Sequence, residues 1–162
     1  MSYLLVEHAD VLVTMNQGRS EITDGALLVE NNIIVNIDTS DEMQKYLHQH
    51  NINPDEIINS KGTVVLPGLI NCHHHLYQTL TRTLGTAGGL SLFDWLKTLY
   101  PIWGQMDAES VYTSAKLGLI ELILSGATTV ADHLYLFPNG SRLDDEIAAA
   151  QELGVRFHPT RG

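Results

Sequence analysis

Hydrophobic and polar positions divide this chain into two unlike stretches. Over residues 3–39 the apolar residues come in short β-favouring runs around Leu5, Val11 and Val13, with Gly18 and Gly25 marking turns. Ala26–Glu30 and Ile33–Ile37 flank Asn31-Asn32, which predicts a hairpin closed by a two-residue connection. Thr39 to Glu42 fits a capping box, with Asp41 and Glu42 in the first turn of a helix that runs to about His50. Asn53-Pro54 breaks that helix. Ile57–Asn59 and Thr63–Leu66 read as strands split by Lys61-Gly62. Residues 1–66 are therefore expected to form a small β-rich module.

The pattern changes after Pro67-Gly68. Leu69–His73 predicts a short strand, and Leu92–Leu99 a helix that ends before Pro101. Asp107 is placed to cap a longer helix from Ala108 to Ser125, with Gly126 as its stop. Val111, Ala115, Leu119, Leu122 and Ile123 fall on one face of that helix. Ala127–Ala131 is a buried-strand run, Leu143–Leu153 a helix ended by Gly154, and Val155–Thr160 a further strand. The order β-α-β-α-β predicts an α/β parallel sheet with right-handed crossovers. Residues 67–162 are far fewer than the about 250 a (β/α)₈ barrel needs, and three strands cannot close one. The chain is expected to be the N-terminal portion of a longer protein; the alternative is a complete three-stranded α/β domain. No internal repeat or low-complexity tract is present.

Composition narrows the function. Among 162 residues, 9 Lys and Arg face 19 Asp and Glu, a net charge of −10 that argues against nucleic-acid or anionic-membrane partners. Hydrophobic residues at 44% and charged residues at 17% fit a globular chain. The single cysteine, Cys72, forbids an intrachain disulfide and points to a reducing, cytoplasmic setting. No apolar run is long enough for a membrane span, and the N-terminus lacks the basic region of a secretory signal.

The candidate chemistry sits in Pro67-Gly68-Leu69-Ile70-Asn71-Cys72-His73-His74-His75. Strand side chains alternate faces, so Asn71, His73 and His75 are expected on one side and Cys72 and His74 on the other. Two imidazoles at i and i+2 on a strand end can converge on one metal ion; zinc favours such nitrogens, and iron accepts them too. A bare His-x-His is as readily a surface run, but the Pro-Gly-aliphatic strand before it favours the metal. Cys72, on the face of His74, reads as a small buried residue and not a nucleophile.

A β module followed by PGLINCHHH as the first strand of a βα series resembles the amidohydrolase superfamily. The stretches HHHLYQTLTRTLG, LFDWLKTLYPIW, GLIELILSGATTVADHLYLFPNG and GVRFHPTRG are similar to its 8-oxoguanine deaminase branch, close to the hydroxyatrazine and guanine aminohydrolases. The resemblance implies that residues 67–162 begin a distorted (β/α)₈ barrel, following a module that forms part of a composite β-sandwich. It implies His73 and His75 as ligands of zinc, with iron also possible. Asn71 stands where many members have Asp, which leaves the ligand pair untouched. A third His, an Asp and the acid/base Glu of a later H-x-x-E motif would come from beyond Gly162, so no catalytic residue is expected here and the fragment alone would be inactive. The parent is expected to be a homo-oligomer that hydrolyses an exocyclic amino group of 8-oxoguanine to give urate and ammonia. Guanine or a triazine is the alternative substrate, and a non-catalytic α/β interaction domain is the alternative of another class.

Gln78, in the first βα loop, is as readily a solvated loop residue on its own, but an amide can donate and accept at once, and the resemblance implies that it contacts substrate. His133, read as following the second strand with Asp132 before it, is either a second substrate candidate or a histidine satisfied structurally. Trp95, Tyr100 and Trp103 are candidates for stacking on a purine or for core packing. Arg82 is either a holder of a substrate oxygen or a surface residue. His158 and Arg161 carry no assignment, and Gly85 to Gly89 lacks a phosphate-binding signature.

Overall fold

A computed structural model describes residues 2–162. The chain divides at Pro67/Gly68 into two compact units.

The first unit is a mixed sheet with one helix. Strands β1 (Tyr3–Val13), β2 (Glu21–Glu30) and β3 (Ile33–Thr39) run antiparallel, and β4 (Glu56–Asn59) and β5 (Val64–Val65) pair parallel to β1, giving the order β3-β2-β1-β4 with β5 also on β1. The Asn31-Asn32 hairpin forms with Glu30 opposite Ile33, and Asn31 takes φ 56°. Thr39 caps α1 (Ser40–His50) by accepting from the Glu42 N–H, and Asn51 ends it in the left-handed conformation, two residues before Asn53-Pro54. Leu5, Ala26, Leu28, Met43 and Leu47 form the core between sheet and helix.

Gly25 is not a turn residue. It lies inside β2 opposite Ala9, where a Cβ would stand 2.4 Å from the Leu12 Cβ. The need there is for close approach, which a sequence pattern cannot distinguish from a turn.

The second unit is a three-stranded parallel sheet, β6 (Leu69–Asn71), β7 (Ala127–Leu134) and β8 (Arg156–Arg161), in that order. Between β6 and β7 run a 3₁₀ turn at Leu76–Thr81, α2 (Leu92–Trp103) and α3 (Ala108–Leu124); α4 (Leu143–Leu153) joins β7 to β8. Asp107 caps α3 by accepting from the Ser110 N–H at 2.9 Å. Gly126 (φ 94°) and Gly154 (φ 70°) turn the chain after α3 and α4. Val111, Ala115 and Leu119 of α3 are buried as the periodicity requires. Gly68 is fixed by contact, because a Cβ there would lie 2.2 Å from the Thr128 side chain.

Three boundaries differ from expectation. Strand β6 stops at Asn71, so the histidines lie past its end and the alternation argument does not formally reach them. Strand β7 runs on to Leu134, which places Asp132 and His133 inside it. Helix α2 continues through Pro101. A helix-interior proline costs about 3 kcal/mol, but Leu99 and Trp103 flank it and are fully buried with Tyr77 and Leu134. Burying two such side chains is worth about 1.5–3 kcal/mol each, enough to carry the helix across.

Candidate metal and substrate site

The 3₁₀ turn that follows the histidines is held from three sides. The Ser114 hydroxyl on α3 reaches the carbonyls of Leu76 and Tyr77 at 2.8 and 2.9 Å and accepts from the Leu80 N–H. Gly118, one turn further along α3, lets Leu76 and Thr79 pack close; a Cβ there would meet each at 2.8 Å. Trp103 donates its indole N–H to Thr81 Oγ1 at 3.0 Å. The first side therefore needs a small polar residue, the second no side chain, and the third a large aromatic.

β7 fixes the histidines themselves. The His133 N–H donates to the His74 carbonyl at 3.1 Å, and the Leu76 N–H donates to Asp132 Oδ1 at 2.5 Å. His75 Nδ1 lies 2.9 Å from the His133 carbonyl oxygen. A carbonyl only accepts, so Nδ1 carries the proton and the Nε2 lone pair is left to bind. The His73 ring stands edge-on to His75 with centroids 5.3 Å apart. His74 turns the other way, toward α3, with a Cβ on Gly118 falling 3.8 Å from its ring. Burial holds the His74 imidazole below its ordinary pKa, and its Nδ1 has no partner.

His73, His74, His75, His133 and His158 line one concavity of about 390 Å³ with Asp132 and Cys72, His74 also reaching toward Gly118. Cys72 is exposed and belongs to this wall, which corrects its reading as a buried residue. Burial by alternation lapses because the strand has already ended at Asn71. His133 Nδ1 lies 3.0 Å from Thr160 Oγ1, whose own proton goes to the Asp132 carbonyl at 2.7 Å. The hydroxyl must then accept, so His133, like His75, has a free Nε2.

Gln78 is half-buried and lies outside that lining. Its amide nitrogen donates to the Tyr77 and Tyr135 hydroxyls, both at 3.0 Å, so its carbonyl oxygen is the group left over. This narrows the expectation of an amide that donates and accepts together. Tyr135 links it to the histidines, meeting the His75 ring edge-on at 5.2 Å. Burial pushes the Tyr77 hydroxyl above its ordinary pKa, so it stays a neutral partner.

The remaining candidates fall elsewhere. Trp103 is core, and Tyr100 and Trp95 pack on it at 5.5 and 5.3 Å. Arg82 pairs with Glu121 at 2.6 Å on the surface. Arg161 lies over the Phe137 ring. Asp132, which lines the concavity, and Glu146, which does not, are both buried acids to which the sequence pattern assigns no role.

The residues fit a metal in part. A ligating imidazole that donates its other nitrogen to a carbonyl is the usual second layer of a metal site, and His75 has that arrangement. Among the described residues no group of three His, Cys, Asp or Glu side chains is placed to hold a metal ion, so His73 and His75 form at most part of a donor set. Among the same residues no helix is long and apolar enough to cross a membrane.

A β-rich module followed by parallel βα units, with paired histidines just beyond the first strand of those units, is the arrangement that the resemblance to the amidohydrolases implies. Residues 64–161 match the profile of the Amidohydrolase family, more than half of the chain, and the chain belongs to that family. It is 52% identical over 101 residues to 8-oxoguanine deaminase of Pseudomonas aeruginosa, covering 61% of this chain and 22% of that protein. It is 33% identical over 163 residues to 5'-deoxyadenosine deaminase of Methanosarcina mazei, covering all of this chain and 34% of the other. Among solved structures it is similar to the zinc complex of atrazine chlorohydrolase from Arthrobacter aurescens TC1, with TM-score 0.85 and 28% identity over 98% of this chain and 35% of that one. The chain thus spans between about a fifth and about a third of the length of these relatives.

Proposed function

We propose that this chain is the N-terminal part of a metal-dependent aminohydrolase that replaces an exocyclic amino group of a purine by a carbonyl, with 8-oxoguanine as substrate. The observation that carries the reading is His75, held by the His133 carbonyl with its Nε2 free beside His73. The similarity to an 8-oxoguanine deaminase supports the substrate.

In the reaction a water oxygen bonds to the amino-bearing ring carbon. The C–N bond breaks, the nitrogen leaves as ammonia after gaining a proton, and urate results. His73 and His75 would hold zinc or iron, and a metal so bound supplies the lowered water pKa that makes a nucleophile at neutral pH. The His133 carbonyl keeps His75 in the binding tautomer. The remaining ligands and the acid/base Glu would come from residues outside these 162. Gln78 would accept a hydrogen bond from a ring N–H through its carbonyl oxygen, which purine-diones can donate and chlorotriazines cannot. His133 would present its Nε2 as a second acceptor to the substrate.

A second reading is a guanine or triazine aminohydrolase, favoured by the structural likeness to a triazine hydrolase. Steady-state ammonia release by the whole protein from 8-oxoguanine, guanine and a hydroxytriazine separates the two. The proposal expects the highest kcat/KM for 8-oxoguanine, and a preference for the triazine would overturn it.

A further inference from the structure

Beneath the histidine turn lies a pair of buried acids. Glu146 of α4 is 0% exposed and Asp132 of β7 is 2% exposed. Neither Glu146 oxygen, nor Asp132 Oδ2, meets a donor group. The two carboxyls lie close enough to each other to share a hydrogen bond once one of them carries a proton. Two ionised carboxylates cannot share a dry contact without prohibitive repulsion, whereas a single proton between them turns the contact into a charge-assisted bond.

The surroundings decide which acid holds that proton. Burial raises the Asp132 carboxyl as well, but the Leu76 N–H that it receives at 2.5 Å favours its ionised form. Glu146 sees only acidic neighbours, Asp132 across the contact and Asp145 on its own helix. Burial, with the charge of Asp132, pushes the Glu146 carboxyl up to about 9.

We infer that Glu146 is a positioning residue: as a neutral acid it donates to Asp132, and Asp132 thereby holds the Leu76 N–H and with it the turn that carries His75. Three hydrogen bonds tie residues 74–76 to β7, and the one at Leu76 depends on a side chain that Glu146 keeps in place. The inference deepens the metal-site reading only in its consequence for His75; the network itself is independent of any metal.

The sign of the pH dependence follows. The folded chain keeps a proton that the unfolded chain releases in the ordinary carboxylate range. The stability tied to that proton is fully present below that range and is lost as pH rises toward about 9.

The test measures unfolding stability from pH 5 to 9 and amide exchange at Leu76 in the full chain and in Glu146→Gln and Glu146→Leu. The Gln variant donates an N–H where the acid donated an O–H, so it should keep Leu76 protected and flatten the decline in stability with pH. The Leu variant should speed exchange at Leu76 at least tenfold at every pH. A Gln variant that loses stability with pH as steeply as the parent overturns the proposal, and so does a Leu variant with Leu76 still protected. If the Leu variant does not fold, the comparison of Gln variant and parent decides alone. Zinc content of His73→Ala tests the metal reading separately, and its failure would leave this network standing.

Discussion

His75 Nδ1 sits 2.9 Å from the backbone carbonyl oxygen of His133. That contact fixes the imidazole tautomer before any ligand arrives, since the carbonyl accepts only from an N–H. A long-range ¹H–¹⁵N correlation of the chain should therefore show His75 protonated at Nδ1 and bare at Nε2. A spectrum with the proton on Nε2 would break the link between β7 and the site.

The Gln78 amide is fixed through its nitrogen, which leaves its carbonyl oxygen as the acceptor that the proposed function assigns to the purine. Gln78→Leu should lower kcat/KM for 8-oxoguanine by roughly one to two orders of magnitude, the ~1.4–3 kcal/mol of one buried hydrogen bond. Metal content should not change. Equal losses on 8-oxoguanine, guanine and a hydroxytriazine would show that Gln78 does not read the purine.

Gly118 leaves room for Leu76 and Thr79 against α3. Gly118→Ala puts a methyl 2.8 Å from both, and forcing such contact costs about 1–3 kcal/mol even after side chains shift. Thermal unfolding should register that loss, and an unchanged Tm would mean that the turn can retreat from the helix.

In the first unit His8 Nδ1 pairs with Asp24 Oδ1 at 2.9 Å across β1 and β2. The hydrogen bond to Asp24 raises the His8 pKa, and the same bond lowers that of Asp24. The part of stability linked to His8 is present below the ordinary imidazole pKa and is lost as pH rises through the raised one. An NMR titration should find His8 above the usual imidazole range, returning toward it in Asp24→Asn. No response to that substitution would mean the pair does not persist in solution.

Much of this architecture was legible because it rests on local chemistry. Thr39, Asp107, Gly126 and Gly154 mark their helix ends by capping and backbone conformation, which neighbouring residues suffice to set. The His-x-His segment stood out for the same reason. What the pattern could not reveal depends on partners far along the chain. Pro101 reads as a helix end until Leu99 and Trp103 are seen buried on either side of it. Cys72 reads as buried until β6 is seen to end one residue earlier. Glu146 shows only as one more acid in the first turn of α4, since its partner Asp132 comes from another element. A buried acid inside an Asp-Asp-Glu run carries no local signature.

The central claim is that His73 and His75 hold the metal while His74 does not. Metal content of the whole protein, measured beside His73→Ala, His74→Ala and His75→Ala, tests it most directly. The account predicts near-complete loss of zinc or iron at His73 and His75, and retention of most of it in His74→Ala, whose ring faces Gly118. Equal loss at His74 and His73, or full metal content without His75, would contradict it.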